Sequence, residues 1–265
     1  RKDPRLAEAA VLGLSAGRGP LRSESIKQQA GMPDAVERFE KLLAGDDLAD
    51  KQAVLSTLGK VDGHAVDEIL VAWMDKLIAG TVPAEIQLEL IESAGHSKSS
   101  AVKERVAKYQ DAKPKDDVLA PFRETLAGGD AKAGREVFTK RQDVSCLRCH
   151  KVNGEGGAMG PDMAGIGTRK DRVYLLESLI APNKQISPGF ESALVKVKNN
   201  TVHNGVVKGE TDDELSMEIE TGPIKLKKSD IVLRKAAPSP MPDNIAQPLS
   251  KQDVRNLVEF LATQR

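Results

Sequence analysis

Two cysteines and one histidine form the group with most chemical potential: Cys146-Leu147-Arg148-Cys149-His150. The chain holds no other cysteine and only three other histidines, His64, His96 and His203, scattered along it. Spacing i, i+3 places two thiols on one side of a single helical turn, where each can add to one vinyl group of a porphyrin. The adjoining imidazole can then coordinate its iron, and Cys-x-x-Cys-His is the attachment signature of c-type haem. Three other chemistries use paired cysteines. A redox dithiol sits between a strand and a helix in a βαβ context, which this region lacks. Zinc wants a second Cys or His pair at fixed spacing, and a disulfide between such close neighbours is strained.

A histidine that binds iron donates its second ring N–H to an acceptor that fixes its rotation and tautomer. Gly160-Pro161 follows eleven residues after His150, in a loop punctuated by Gly154, Gly156, Gly157, Gly165 and Gly167 and able to fold back. A sixth iron ligand separates an electron carrier from a haem that binds small molecules. Met159, Met163, Met241 and His203 are the candidates. Met241 is flanked by Pro240 and Pro242, which fix φ on both sides of it. His203, in Val202-His203-Asn204-Gly205, reads as an exposed strand histidine beside a hairpin turn.

The elements that must position these residues follow from periodicity. Asp130 caps a short helix running to Arg141, a second helix spans about 171–181 with Val173, Leu175, Leu176, Leu179 and Ile180 as its apolar set, and Ser250 caps a last helix with Val254, Leu257, Val258 and Leu261 inward. Between them, about 190–235, the period drops to two, with turns at Asn199-Asn200, Gly209, Asp212-Asp213 and Gly222-Pro223, predicting four or five short antiparallel strands. Lys225-Leu226-Lys227-Lys228 there reads as a solvated strand face.

Upstream, residues 35–128 read as consecutive helices. Val66, Ile69, Leu70, Trp73, Met74, Leu77 and Ile78 make one broad apolar stripe, with Asp62 expected to cap its start and Gly80 its end. Helix pairs at roughly 35–45-residue spacing resemble HEAT-type repeats, and an irregular helical bundle is the alternative. Residues 1–34 read as an incomplete first repeat and an irregular connection. The chain begins at Arg1 rather than Met, as expected of a processed product or an excised piece.

Composition sets limits. The 265 residues carry 39 basic and 39 acidic side chains, a balance with no electrostatic footprint for nucleic acid, and no apolar run long enough for a membrane span. Aromatics are 3%, so cores are built from Leu, Ile, Val and Ala, which suits helices. The expected fold is mainly α with a small β insertion: a helical domain over 1–128 and a haem domain over 129–265.

The C-terminal half resembles a class I cytochrome c. In that family a Gly-Pro placed like Gly160-Pro161 follows the haem motif, its proline carbonyl accepting the histidine N–H. The first helix, with a glycine and an aromatic placed like Gly134 and Phe138, crosses the last. The resemblance implies one covalent haem c, with Cys146 and Cys149 as its attachment points, Pro161 as the acceptor, and His150 and Met241 as axial ligands. Met241 holds the ligand's place before the last helix, although 91 residues separate it from His150; Met159 and Met163 fall to the haem wall.

More narrowly, Gly134 to Phe138, Gly160-Pro161-Asp162-Met163, Leu176 to Asn183 and Ser239-Pro240-Met241-Pro242 resemble the haem-binding C-terminal domain of exported dehydrogenase-like proteins of planctomycete and verrucomicrobial bacteria, where it follows HEAT-like helices. That likeness implies an electron-transfer domain rather than an enzyme in itself, a periplasmic or otherwise exported location, a dehydrogenase as donor and a second redox protein as acceptor. A haem enzyme or gas sensor with an open sixth site, and a helical interaction module, are the alternatives.

Overall fold

The computed structural model describes residues 35–265; the reading of residues 1–34 lies outside the described residues. The chain divides into two compact units, the first ending at Pro114 and the second spanning Lys115–Arg265.

In the first unit, five helices follow one another: α1 Ala35–Ala44, α2 Leu48–Leu58, α3 His64–Ile78, α4 Gln87–His96 and α5 Ser100–Asp111. Their apolar stripes bury Phe39, Leu55, Leu58, Leu70, Met74, Leu90 and Val102 in one core. Packing is closest between next-but-one helices, α2 on α4 and α3 on α5. The α2–α4 seam is tight: Ser93 Oγ donates to the Leu55 carbonyl across it at 2.5 Å. The expected stripe on α3 is buried at Val66, Ile69, Leu70, Met74 and Leu77, and Gly80 follows the helix at φ +74°. Asp62 does not cap α3. The helix begins at His64 with Gly63 before it, and the Asp62 carboxylate is drawn instead to Lys98 Nζ at 2.9 Å.

The second unit begins before Gly128-Gly129, where composition changes. Residues Ala120–Thr125 form a 3-10 helix, too tight for the 3.6-residue period, and Leu119, Phe122 and Leu126 join the core of the haem-motif region. Then come α6 Ala131–Lys140, the single turn α7 Cys146–Cys149, a minimal hairpin of β1 Lys151–Val152 and β2 Glu155–Gly156, the short α8 Ile166–Arg169, and α9 Arg172–Ile180. Asp130 caps α6 by accepting from the Lys132 and Ala133 amides, and Asp171 caps α9 through the Tyr174 amide. Leu175, Leu176 and Leu179 are buried, whereas Val173 is exposed, on the α9 face turned to water.

Five antiparallel strands follow: β3 Ser192–Val197, β4 Val202–Glu210, β5 Glu214–Ile219, β6 Gly222–Lys227 and β7 Ile231–Ala237, in the order β6-β5-β4-β3-β7. Alternation puts Val195, Val197, Leu215 and Met217 on one face with a core of their own. Lys225 and Lys228 pair with Glu214 and Glu210. The last helix, α10 Lys251–Ala262, opens with a capping box in which Ser250 Oγ accepts from the Asp253 amide and the Asp253 carboxylate accepts from the Ser250 amide.

Helices α6 and α10 cross where α6 carries no side chain. A Cβ on Gly134 would lie 1.9 Å from the Asn256 carbonyl oxygen, so only glycine permits this approach. One turn on, Phe138 meets Phe260 with ring centroids 5.6 Å apart, tilted by 53°. The crossing fixes the floor against which the cysteine turn rests. Among the described residues, no helix is long and apolar enough to cross a membrane.

Candidate functional site

Ser145, in the left-handed region at φ 43°, turns the chain from α6 into the α7 turn that carries both thiols. Arg141 braces the approach, donating to the Asp143 carboxylate, to Asp253 at 3.2 Å and to the Pro248 carbonyl at 3.0 Å. The cysteines are unbridged. Burial pushes the Cys146 thiol up to about 11; burial likewise raises Cys149, which Arg148 lowers and Glu220 raises. At neutral pH both are therefore thiols, the opposite of the lowered thiolate of a redox dithiol. Among the described residues, no group of three or more His, Cys, Asp and Glu side chains is placed to hold a metal ion.

His150 leaves the turn in extended backbone, its amide bonded to the Cys146 carbonyl at 2.9 Å. The glycine loop then folds back over it, through the Gly157 amide to the Leu147 carbonyl and the Gly160 amide to the Cys149 carbonyl. Gly160 is the close approach: a Cβ there would meet the imidazole at 2.5 Å. Pro161 thereby comes level with the ring, and its carbonyl lies 2.9 Å from Nδ1. A carbonyl only accepts, so Nδ1 carries the proton and Nε2 keeps its lone pair. Burial lowers the His150 pKa against the opposing effect of the Pro161 bond, which favours the neutral, ligating form. Phe138 stands against the ring at 6.4 Å between centroids.

These residues line a cleft of about 350 Å³. The structure brings Cys146, Cys149, His150, Met159, Pro161, Met163 and Met241 to its walls, with Phe138, Leu175, Leu179 and Leu257 as apolar lining. Met241 is half-buried, packed on the same core. His203 is not among them, nor are His64 and His96. His203 lies inside β4, half-buried and paired with Val195, rather than exposed beside a turn, while the expected turn at Asn199-Asn200 is present, with Asn200 at φ +69°. Gly205 serves packing there, since a Cβ would sit 2.3 Å from the Glu218 carbonyl oxygen.

Three further contributors had no signal in the sequence. Tyr174 and Ser187 line the cleft with their hydroxyls 3.2 Å apart. Glu220, in the β5–β6 turn, reaches the cleft edge and accepts from Arg148 of the cysteine turn at 3.0 Å, although both side chains are largely exposed.

Thiols on one turn, a neutral imidazole with a free Nε2 and a walled apolar cleft form a cradle that fits a covalently attached porphyrin. Residues 131–216 match the cytochrome c family. No curated protein matches the chain. The cytochrome c match runs from the start of α6 into β5 and includes both cysteines, His150 and Pro161. Cytochromes c bind haem covalently and carry electrons between redox partners, and it is to this family that residues 131–216 of the second unit are similar. The match ends before Met241 and α10, which the fold adds by packing them onto the matched part.

Proposed function

We propose that Lys115–Arg265 is a monohaem electron-transfer module with His150 and Met241 as axial ligands. The observation that carries this reading is the Nδ1–Pro161 bond, which leaves Nε2 available in a cleft whose walls also include both thiols and Met241. Cys146 and Cys149 would hold the group covalently, each S–H adding across a vinyl double bond to give one S–C and one C–H bond with no oxidant required. When bound, the haem supplies a one-electron couple between ferric and ferrous iron. His150 is oriented by Pro161, which raises the basicity of the imidazole. Met241 offers a soft, uncharged thioether that favours the ferrous state. Phe138, Leu175 and Leu257 exclude water, and Met159 and Met163 serve as wall. With His150 and Met241 both holding the iron, substrate would find no open site, and the role would be that of a carrier rather than an enzyme in itself.

The likeness to exported dehydrogenase-like proteins supports a dehydrogenase as donor, a second redox protein as acceptor and a periplasmic or otherwise exported setting, since bacterial haem attachment takes place outside the cytoplasm. The next-but-one stacking of α2 on α4 and α3 on α5 supports a HEAT-like spacer in the first unit.

Matured protein analysed under denaturing conditions should carry one haem adduct that acid-organic extraction leaves in place. Met241→Ala should abolish the sulfur-to-iron charge-transfer band of the oxidised form, lower the reduction potential and open the ferrous iron to carbon monoxide, whereas His203→Ala should do none of these. The reverse pattern would make the iron bis-histidine, and rapid carbon monoxide binding by the unaltered protein would favour an enzyme or sensor.

A further inference from the structure

Met241 lies between two contacts made by a single side chain. Asn183 follows α9 immediately after the buried Pro182, and its amide is used in both directions. Oδ1 accepts from the Ser239 amide at 2.7 Å, and Nδ2 donates to Asp243 Oδ1. The partners fix which end is which, because a backbone N–H only donates and an ionised carboxylate only accepts. Ser239 and Asp243 stand two residues before and two after Met241. Ser239 passes the restraint inward, its Oγ accepting from the Met241 amide at 3.2 Å.

The loop needs such an anchor. Pro240 and Pro242 have no N–H, so two of its positions cannot be tied by donated backbone bonds. Asn183 is itself held, because its neighbours Lys184 and Gln185 both donate to Glu177, a buried carboxylate on α9. A continuous set of bonds therefore leads from α9 through Asn183 to both flanks of Met241.

We propose that Asn183 is the positioning residue of the Met241 loop, bridging Ser239 and Asp243 so that the thioether is held at its place in the cleft. This rests on the reading of Met241 as the axial ligand. Asn183 is exposed, so water competes for its bonds and the effect is a loosened ligand rather than a lost fold.

The test uses the full-length holoprotein and reads carbon monoxide binding to the ferrous form together with the charge-transfer band of the ferric form. Asn183→Leu should speed carbon monoxide binding by about tenfold, the factor that 1.4 kcal/mol supplies, and should make the band fade at a lower temperature, with the far-ultraviolet helical signal unchanged. Asn183→Asp, nearly isosteric, sets a carboxylate against Asp243 and should give the same loss. Adding Asp243→Asn to it restores a donor opposite the new acceptor and should return binding to within about twofold of the unaltered protein, a residual of well under 1 kcal/mol. Binding unchanged in Asn183→Asp, or a double variant no better than the single, overturns the proposal. Met241→Ala separates the two readings. If it leaves the band intact, the ligand assignment fails; if it removes the band while the Asn183 variants behave as the unaltered protein, only the positioning role fails.

Discussion

Gly134→Ala tests whether the α6–α10 crossing carries the haem-side unit. A Cβ at Gly134 would lie 1.9 Å from the Asn256 carbonyl oxygen, 2.5 Å from its carbon and 2.8 Å from Phe260 Cβ. Two of these atoms are backbone of a packed helix and cannot rotate away. Moving the oxygen out to the 3.0 Å minimum of real Cβ contacts opens the crossing by about 1.1 Å. That separation also draws Phe260 from Phe138 and strains the bond from the Asp130 amide to Asn256 Oδ1, now 2.8 Å. Overpacking of this kind costs about 1–3 kcal/mol, partly offset by the higher helix propensity of Ala, worth up to about 1 kcal/mol. A net loss of about 1–2 kcal/mol corresponds to a melting temperature lower by about 2–8 °C for a unit of this size. The assay is thermal unfolding of the holoprotein followed by circular dichroism in the haem absorption band, which reports the second unit alone. Gly209→Ala is the control, since nothing lies within 4 Å of its Cβ position. A Gly134→Ala melt within 1 °C of the control would refute the reasoning, because it would mean that the helices do not approach as closely as described.

Ser250→Ala removes half of the α10 capping box and should cost about 0.5–2 kcal/mol in the same melt. Glu210 is held down to about 2 by hydrogen bonds from Lys228 and Arg234, so its contribution is present above the usual carboxylate pKa and is lost as pH falls toward 2; the stability gap between the unaltered protein and Glu210→Gln should close over that window in a pH series of denaturant melts. Gly160→Ala should push the imidazole off the Pro161 carbonyl and weaken a bond that makes His150 a stronger donor, raising the reduction potential measured by redox titration. Replacing residues 193–236 with a short Gly-Ser turn should preserve the charge-transfer band, because Ser192 and Ala237 are direct antiparallel partners about 4.5–5.5 Å apart; loss of the band with the helices intact would show that the sheet positions the ligand.

What was legible in the sequence is what local chemistry fixes. The cysteines, His150 and Pro161 lie within one short stretch, so the motif could be read locally and the resemblance to class I cytochromes c pointed to the Pro161 carbonyl as the acceptor, while the caps at Asp130 and Ser250 are short-range side-chain rules. Alternation predicted the strands, but not that β7 would lie beside β3, because strand order depends on pairings distant in sequence. Asn183 reaches 56 residues to Ser239 and Arg148 reaches 72 to Glu220, beyond any periodicity. Asp62 does not cap α3 because the helix begins at His64, which leaves Gly63 and not Asp62 in the cap position. Residues 115–128 read as a continuation of the upstream helices, because nothing local shows that Leu119 and Phe122 pack in the core of the second unit.

The sheet explains how Met241, 91 residues from His150 in sequence, can still line the same cleft just before the last helix. The inserted strands begin with β3 and end with β7, and these two are neighbours, paired from Ser192 with Ala237 to Val197 with Ile231. The chain therefore leaves the helical frame and returns to it at adjacent positions, and the excursion between them displaces nothing. Its own core, around Val195, Leu215 and Met217, is separate from the core beneath the cleft, so the sheet draws no apolar side chains from the cleft wall. Closing so long a loop costs little more than closing a short one, because the entropy grows only with the logarithm of its length. The residual uncertainty in where the returning strand releases the chain is removed locally: the first residues beyond β7 meet Asn183 at Ser239, and Met241 follows two residues later. The place of Met241 in the cleft is thus set by the junction, not by the length of chain between it and His150.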